Sequence, residues 1–87
     1  MQLNHNCVRD ILLFIETNTD YEKSHISLDE LLSELPYNET TLSYHISKMD
    51  SRDFFEEVCY SDDEIELISR LSHHGRAYLK KIRNHNV

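Results

Sequence analysis

The spacing of apolar residues changes twice along this chain, and these changes limit the folds that it can adopt. Apolar side chains recur at helical spacing from Cys7 to Ile15, at residues 7, 8, 11, 12, 14 and 15. After Arg52 they alternate, and from Leu71 to Ile82 the helical spacing returns. A helix repeats every ~3.6 residues and a strand every two. The chain is therefore predicted to be mainly α with a small antiparallel β-sheet, an α+β fold.

Polar residues at the expected helix ends divide the helical pattern into four helices. Asn6 is the predicted N-cap of the first helix, and the second helix begins at the capping box Ser27-Leu28-Asp29-Glu30. Asn38 is predicted to cap a third helix over about residues 39–51, and Ser72 to cap the last one. The third helix has a predicted core stripe of three residues: Leu42, Ile46 and Met49.

A two-stranded hairpin is predicted between the third and fourth helices. The alternation places Phe54, Val58 and Tyr60 on one face and Phe55, Glu57 and Cys59 on the other. Ser61-Asp62-Asp63 has the composition of a turn. An isolated hairpin is only marginally stable in water. A further short strand at His25-Ile26-Ser27 is therefore a candidate third member of the sheet.

Length and composition favour one small domain over residues 1–87. The chain has a single Gly and a single Pro, which argues against a disordered linker. Because Gly costs ~1 kcal/mol inside a helix, Gly75 is predicted to mark close packing against another element. The sequence contains no run of ~18 apolar residues, so no membrane span is predicted. With no secretory signal and only two cysteines, the expectation is a cytoplasmic protein with free thiols.

Charge is distributed unevenly along the chain. The net charge is −7, and residues 1–69 hold all 16 acidic residues but only four of the nine basic ones. The remaining five basic residues lie in residues 70–87, which contain no acid. Contacts to phosphates supply most non-specific affinity for nucleic acid, so an acidic body argues against this mode of binding.

The order of predicted elements resembles the winged helix-turn-helix fold of small bacterial regulators. The similarity includes the third-helix segment Leu42-Ser43-Tyr44-His45-Ile46-Ser47-Lys48-Met49. It also includes Leu71-Ser72-His73-His74-Gly75-Arg76-Ala77-Tyr78-Leu79, which is similar to the stretch that follows the wing in many such proteins. The resemblance implies that the third helix enters the major groove of DNA and that the hairpin is the wing.

A closer resemblance covers nearly the whole chain. Leu3-Asn4, the segment from Cys7 to Leu13, and Ser27-Leu28-Asp29-Glu30-Leu31 are similar to a family of short uncharacterised proteins of bacterial and prophage genomes, known only as a domain of unknown function. This resemblance implies the winged-helix fold and no established activity. The chain departs from related domains at Ser51-Arg52-Asp53, where a Gly is common, and at Asp62-Asp63-Glu64, where DNA-binding wings often carry Lys or Arg.

The first functional hypothesis is a DNA-binding transcriptional regulator that contacts double-stranded DNA through its third helix. Hydroxyl groups on this helix can bond to base edges or phosphates, and a lysine can contact a phosphate. An ordinary solvated helix face explains the same polar pattern. The residues assigned to DNA binding are Thr40, Thr41, Ser43, Tyr44, Ser47 and Lys48.

A basic patch on the last helix has three alternative interpretations. Cations near a helix C-terminus are favoured by the helix dipole, which needs no function. The same cations can bind phosphate or an acidic partner. They can also pair with acids of a second subunit, since winged helices often form homodimers through their terminal helices. The patch contains Arg76, Lys80, Lys81 and Arg83.

The alternative functional hypothesis is an acidic protein-binding module that inhibits a basic nucleic-acid-binding partner by mimicking DNA. In this hypothesis the carboxylates are the working surface, whereas the simpler explanation is that they keep a small protein soluble. The residues assigned to this surface are Asp53, Glu56, Asp62, Asp63 and Glu64.

Catalysis, cofactors and metals are not expected from local motifs. The sequence contains no glycine-rich phosphate loop, nucleophile elbow or metalloprotease helix. Its six histidines and two cysteines show neither Cys-x-x-Cys nor His-x-x-x-His spacing, so no metal site is predicted. Among the histidines, His45 is predicted to be a partly exposed helix residue.

Overall fold

Within residues 2–84, four helices and three strands follow one another in the order that the apolar spacing predicts. A computed structural model describes residues 2–84, so Met1 and residues 85–87, including His85, lie outside it. The elements are α1 (His5–Asn18), β1 (His25–Ser27), α2 (Leu28–Glu34), α3 (Glu39–Ser51), β2 (Val58–Ser61), β3 (Glu64–Ser69) and α4 (His73–Asn84). The α+β class and the bounds of the third helix are confirmed.

The start of α1 differs from the prediction by two residues. The cap is Asn4, because its side-chain Oδ1 accepts hydrogen bonds from the backbone N–H groups of Asn6 (2.8 Å) and Cys7 (3.1 Å). Asn6 therefore lies inside the first turn and donates to the cap. Both asparagines suit a helix start by composition, and only the backbone geometry decides between them.

The predicted caps of the later helices are confirmed. Ser27 Oγ accepts from the N–H of Glu30 at 3.1 Å, and Asn38 Oδ1 accepts from the N–H of Thr41 at 2.8 Å. The capping box at α2 is only half formed, because the Glu30 carboxylate instead pairs with Lys23 Nζ at 2.9 Å. At α4, Ser72 Oγ accepts from the N–H of Gly75 at 3.0 Å.

The sheet is antiparallel, with strand order β1-β3-β2. The short strand β1 is its third member, as predicted, and Ile26 lies opposite Ile68 of β3. A two-residue turn joins β2 to β3, with Asp62 and Asp63 both at positive φ (52° and 66°). Positive φ at both central residues is the geometry of a type I′ hairpin turn, which matches the twist of the flanking strands.

The predicted alternation of Phe54 and Phe55 is wrong, because both side chains are buried and neither lies in a named strand. The N–H of Phe54 donates to the carbonyl of Met49 at 3.1 Å, which ties this residue to the end of α3. Phe55 instead forms an isolated bridge with Leu71. Both aromatic side chains therefore close the core beneath the hairpin. The pairing of β2 with β3 starts at Val58 and shifts register between Cys59 and Tyr60.

One hydrophobic core joins α1, α2, α3 and the inner face of the sheet. The predicted stripe of α3 is confirmed, since its three residues are at most 1% exposed. His45 is also buried, at 1% exposed, so the prediction of a partly exposed histidine is wrong. The fully enclosed side chains of this core include Cys7, Ile11, Leu12, Ile15, Ile26, Leu31, Leu42, Ile46, Met49, Ile68 and Leu71.

The packing role predicted for Gly75 is confirmed. A Cβ atom at this position would lie 2.1 Å from the backbone carbonyl oxygen of Phe54, which is far inside contact distance. Glycine therefore lets α4 approach the segment that leads into the hairpin. No helix within residues 2–84 has both the length and the apolar character needed to cross a membrane.

Candidate interaction surface

The outward face of α3 presents most of the residues that were assigned to DNA binding. Thr40, Ser47 and Lys48 are exposed, and Ser43 and Tyr44 are half-buried. Thr41 has a structural position, because its N–H donates to the cap Asn38 and its carbonyl oxygen lies 2.8 Å from the buried His45 Nδ1. The polar face of α3 is therefore available to a partner, with Thr41 at its inner edge.

A groove of about 430 Å³ separates α3 from the hairpin. Four of the six residues assigned to DNA binding line this groove, and so do two of the five assigned to the alternative acidic surface. The two hypotheses therefore concern opposite walls of the same groove. Its lining is Leu28, Glu39, Thr40, Ser43, Tyr44, Ser47, Tyr60, Asp63, Glu64 and Ile65.

A second groove of about 440 Å³ adjoins the first and shares Leu28, Glu39, Glu64 and Ile65 with it. Within the described residues, neither lining contains a lysine or an arginine. Six carboxylates line the two grooves together, and we call them the groove carboxylates. They are Asp29, Glu39, Asp62, Asp63, Glu64 and Glu66.

Within residues 2–84, the groove carboxylates have no counter-ion within 4.0 Å. Across residues 2–84, ion pairs within 4.0 Å involve other acids, such as Glu30 with Lys23 and Glu56 with Arg70. No side-chain hydrogen bond in this part of the chain ends on a groove carboxylate either. Six carboxylates therefore face solvent in one concave region, and no group in the described part of the chain pairs with them.

Two contacts fix aromatic side chains at the edge of the first groove. The Tyr60 hydroxyl donates to Asp50 Oδ2 at 3.3 Å, which links the hairpin to α3. Partial burial and the nearby Asp50 carboxylate raise the pKa of Tyr60, so the phenol stays a donor. Lys48 Nζ lies 5.7 Å from the centroid of the Tyr44 ring, which is a cation–π contact between two residues of α3.

The other two acids assigned to the acidic surface lie outside both grooves. Glu56 pairs with Arg70 at 3.2 Å. Asp53 is at positive φ (64°) in the turn after α3, and its carbonyl accepts a hydrogen bond from the Ser72 hydroxyl. Both residues are engaged in joining the end of α3 to the strands and α4.

The basic patch of α4 lies in a separate place, against α1. A groove of about 330 Å³ is lined by Arg76, Lys80 and Arg83, together with Glu16 of α1 and the apolar Leu79. Arg76 Nη1 donates to the carbonyl of Leu71 at 3.0 Å, and one carboxylate already faces the remaining cations. Lys81 is exposed and does not line this groove. Homodimerisation through the terminal helices stays a prediction.

A cluster of three different ligand types lies on the sheet, where the sequence predicted no metal site. His25, Glu57 and Cys59 each place one ligand atom within 4.8 Å of the others. Partial desolvation and the neighbouring Glu57 carboxylate raise the pKa of the Cys59 thiol. Local spacing cannot reveal this cluster, because His25 is far along the chain from Glu57 and Cys59 and β3 lies between them in the sheet. The signal in the sequence was the alternation that puts Glu57 and Cys59 on one face.

A family model described as "Hypothetical protein (DUF2513)" matches residues 2–87. The chain belongs to this family. The match covers the four helices and the sheet, and the family description assigns no activity. Comparison with curated proteins and with solved structures gave no match.

Proposed function

We propose that this member of the DUF2513 family is a winged-helix protein that acts by binding and not by catalysis. Its groove between α3 and the hairpin would receive a positively charged segment of a protein partner. The observation that carries the proposal is the set of six groove carboxylates, which face solvent without counter-ions within residues 2–84.

The order of elements supports the winged-helix part of the proposal. Helix α2 and helix α3 are joined by a four-residue connection, and the β2–β3 hairpin is the next element in the chain. In a winged helix-turn-helix protein α2 corresponds to the supporting helix, α3 to the recognition helix and the hairpin to the wing. The groove between α3 and the hairpin is then the place where a nucleic-acid reader would approach its target.

The electrostatics of this place favour a cationic occupant. DNA carries one negative charge per ≈ 1.7 Å of helix axis, and carboxylates on the wing would repel it. Lysine and arginine side chains instead gain charge-assisted hydrogen bonds from unpaired carboxylates, and arginine binds them in a bidentate manner. A protein that uses such cations to hold nucleic acid fits this chemistry. Occupying its cations would inhibit it by competition with nucleic acid.

A DNA-binding regulator is the second candidate, and one observation favours it. Thr40, Ser43, Tyr44 and Ser47 present hydroxyl groups along one wall of the groove, and the exposed Lys48 lies beside them. Hydroxyl groups can read base edges and bond to phosphates. In this candidate the α3 wall makes the contacts, and the hairpin is held away from the DNA backbone.

Fluorescence anisotropy with two probes separates the candidates. One probe is a labelled lysine- and arginine-rich peptide and the other is a labelled mixed-sequence DNA duplex, each titrated at low and at physiological salt. We expect salt-sensitive binding of the peptide and none of the duplex. Binding of the duplex that is lost in Lys48→Ala would replace the first candidate by the second. Binding of neither probe would contradict both.

The decisive variant removes negative charge from the hairpin while keeping the geometry of its turn. Asp62→Asn with Asp63→Gly removes two groove carboxylates and installs Asn-Gly, the dipeptide that type I′ turns prefer. We expect peptide affinity to fall roughly fivefold or more, from the loss of two charge pairs of up to ~1 kcal/mol each. Glu22→Gln with Glu34→Gln is the matched control, because it removes the same charge from exposed positions outside both grooves. Equal losses in the two double variants would rule out a localised site.

A further inference from the structure

The outer face of the sheet brings His25, Glu57 and Cys59 together by strand register. His25 of β1 lies opposite Ser69 of β3, and the backbone N–H of Ser69 donates to the carbonyl of Glu57 at 2.9 Å. His25, Ser69 and Glu57 therefore form one row across the sheet. Cys59 lies opposite Leu67, which is two residues before Ser69 in β3, and therefore projects from the same face.

A small residue in the middle of this row lets its two ends meet. The Ser69 side chain is short and stays close to the sheet backbone, because its Oγ accepts from the Glu57 N–H at 2.6 Å and donates to the carbonyl of Arg70 at 3.0 Å. The longer side chains on either side reach over it, so that His25 Nε2 lies 3.8 Å from Glu57 Oε1. A larger residue at position 69 would hold them apart.

The imidazole of His25 is oriented by its neighbour. Ser24 Oγ lies 2.9 Å from His25 Nδ1, so the hydroxyl group forms a hydrogen bond with that ring nitrogen. The other nitrogen, Nε2, lies 3.8 Å from the Glu57 carboxylate. Ligand histidines in metal sites are commonly held in this way, with one nitrogen bonded to a protein group and the other free for the metal.

We propose that His25, Glu57 and Cys59 form a zinc-binding site that uses Nε2, a carboxylate oxygen and Sγ as ligands. Mixed nitrogen, oxygen and sulfur ligands suit Zn²⁺, which binds them at about 2.0–2.3 Å. Tetrahedral coordination at these lengths separates ligand atoms by about 3.3–3.8 Å. The three atoms already lie within 4.8 Å of one another, so rotamer adjustments of about 1 Å complete the site. The fourth position is open to water.

The site would tie together two strands that are not neighbours. His25 belongs to β1 and Cys59 to β2, with β3 between them. A bound ion therefore closes the sheet across its central strand and stabilises the hairpin relative to the helices. Since the ion binds the folded chain preferentially, its binding free energy adds to the stability of the fold.

Titration calorimetry with Zn²⁺ and absorption spectroscopy with Co²⁺ test the proposal on freshly reduced, untagged protein. We expect one equivalent of Zn²⁺ to bind and to raise Tm. We also expect Co²⁺ to give a thiolate-to-metal charge-transfer band. Cys59→Ser should abolish the band and weaken Zn²⁺ binding at least about tenfold, whereas Ser24→Ala should weaken it by about tenfold through the ligand His25.

Two controls keep the outcome specific. His73→Ala removes an exposed histidine from α4, far along the chain from the cluster, and should leave Zn²⁺ affinity unchanged. Cys7 stays in every variant and is fully buried, so a charge-transfer band that persists in Cys59→Ser would come from that thiol. Such a band, or equal Zn²⁺ affinity in the wild type and Cys59→Ser with circular dichroism unchanged, would overturn the proposal.

Discussion

At the scale of single residues, His45 is the polar group on which the junction of α1 and α3 depends. Its Nε2 accepts from the backbone N–H of Asn4 at 2.9 Å, and its Nδ1 lies 2.8 Å from the carbonyl of Thr41. The pair of contacts requires a neutral ring with its proton on Nδ1. Asn4 is the cap of α1, so the buried ring ties the start of α1 to the first turn of α3.

We expect His45→Ala to lower the free energy of unfolding by about 2–4 kcal/mol. The substitution leaves a cavity and an N–H group of Asn4 without its acceptor. Urea denaturation followed by circular dichroism measures the change. Thr40→Ala, at an exposed position of the same helix, is the control and should change stability by no more than about 0.5 kcal/mol. Equal effects of the two substitutions would contradict the structural role of the ring.

Cys7 predicts how stability depends on alkaline pH. Burial, with a smaller effect of Asp10, raises its pKa from 9.0 to about 11. The unfolded chain therefore releases this proton before the folded one does. The stabilisation is complete below pH 9.0 and is lost as the pH rises towards about 11.

The expected loss from Cys7 is on the order of 2 kcal/mol between these two pH values. Urea unfolding in a series of alkaline buffers measures it. Tyr37 adds to the fall at higher pH, because burial and its hydrogen bond to Asp10 raise its pKa to about 12. Cys7→Ala should flatten the first part of the profile, and Tyr21→Phe, at a side chain that is 94% exposed, should not. A profile unchanged by Cys7→Ala would contradict this assignment.

At the scale of elements, the hairpin turn shows a conflict between local preference and surface charge. Asp62 and Asp63 both adopt positive φ, where Asn and Gly are more favourable. Both also add a negative charge beside the other groove carboxylates. The present turn sequence is thus less stable than the backbone geometry would allow.

The Asp62→Asn, Asp63→Gly double variant should therefore unfold at higher temperature than the wild type. We expect a gain of about 0.5–1 kcal/mol, since Gly removes the penalty of positive φ and two repulsive charges disappear. Differential scanning calorimetry measures this gain. The reversed placement, Asp62→Gly with Asp63→Asn, removes the same charge and separates turn chemistry from electrostatics. A lower Tm for Asn-Gly than for the wild type would show that the aspartates stabilise the turn by contacts of their own.

The elements differ in how far the sequence predicts them, and the difference follows the range of the interactions. The caps Ser27, Asn38 and Ser72 accept from N–H groups only three residues away, so local spacing reveals them. Phe54 and Phe55 alternate by sequence, but a bond to the end of α3 and a bridge to Leu71 place both in the core. The bridge to Leu71 is a tertiary contact, and the bond to Met49 belongs to a turn in which Asp53 has positive φ, so the alternation of apolar residues predicts neither.

The residues of the candidate site also divide into those that local spacing predicts and those that it does not. The polar wall of the groove belongs to one helix, so the periodicity of α3 predicts which of its residues face outward. The acidic wall is assembled from α2, α3 and the hairpin, and it brings Asp29 near Glu66. Of the five acids assigned to this surface, Asp53 and Glu56 therefore fall elsewhere, although net charge gave no reason to separate them from the rest.

At the scale of the whole molecule, opposite charges occupy separate regions. The six groove carboxylates lie at the hairpin and the starts of α2 and α3, whereas the basic residues of α4 pack beside α1. The molecule measures 40 × 33 × 23 Å, and the Debye length at 0.1 M salt is about 10 Å. Salt therefore screens attraction between the two regions more completely than it screens repulsion among neighbouring carboxylates.

This arrangement predicts that salt stabilises the fold through the groove. Raising NaCl from about 0.02 M to about 0.2 M should increase the free energy of unfolding by roughly 0.5–1 kcal/mol, because it weakens the repulsion among unpaired carboxylates. Glu39→Gln with Glu66→Gln should be more stable than the wild type at low salt and respond less to NaCl. Glu22→Gln with Glu34→Gln has the same net charge but keeps the groove intact, so it should retain the larger part of the response. Urea titrations of the three proteins at both salt concentrations measure these differences. If the two double variants respond equally, the stability of the fold depends on net charge alone, and the concentration of acids in the groove has no separate energetic consequence.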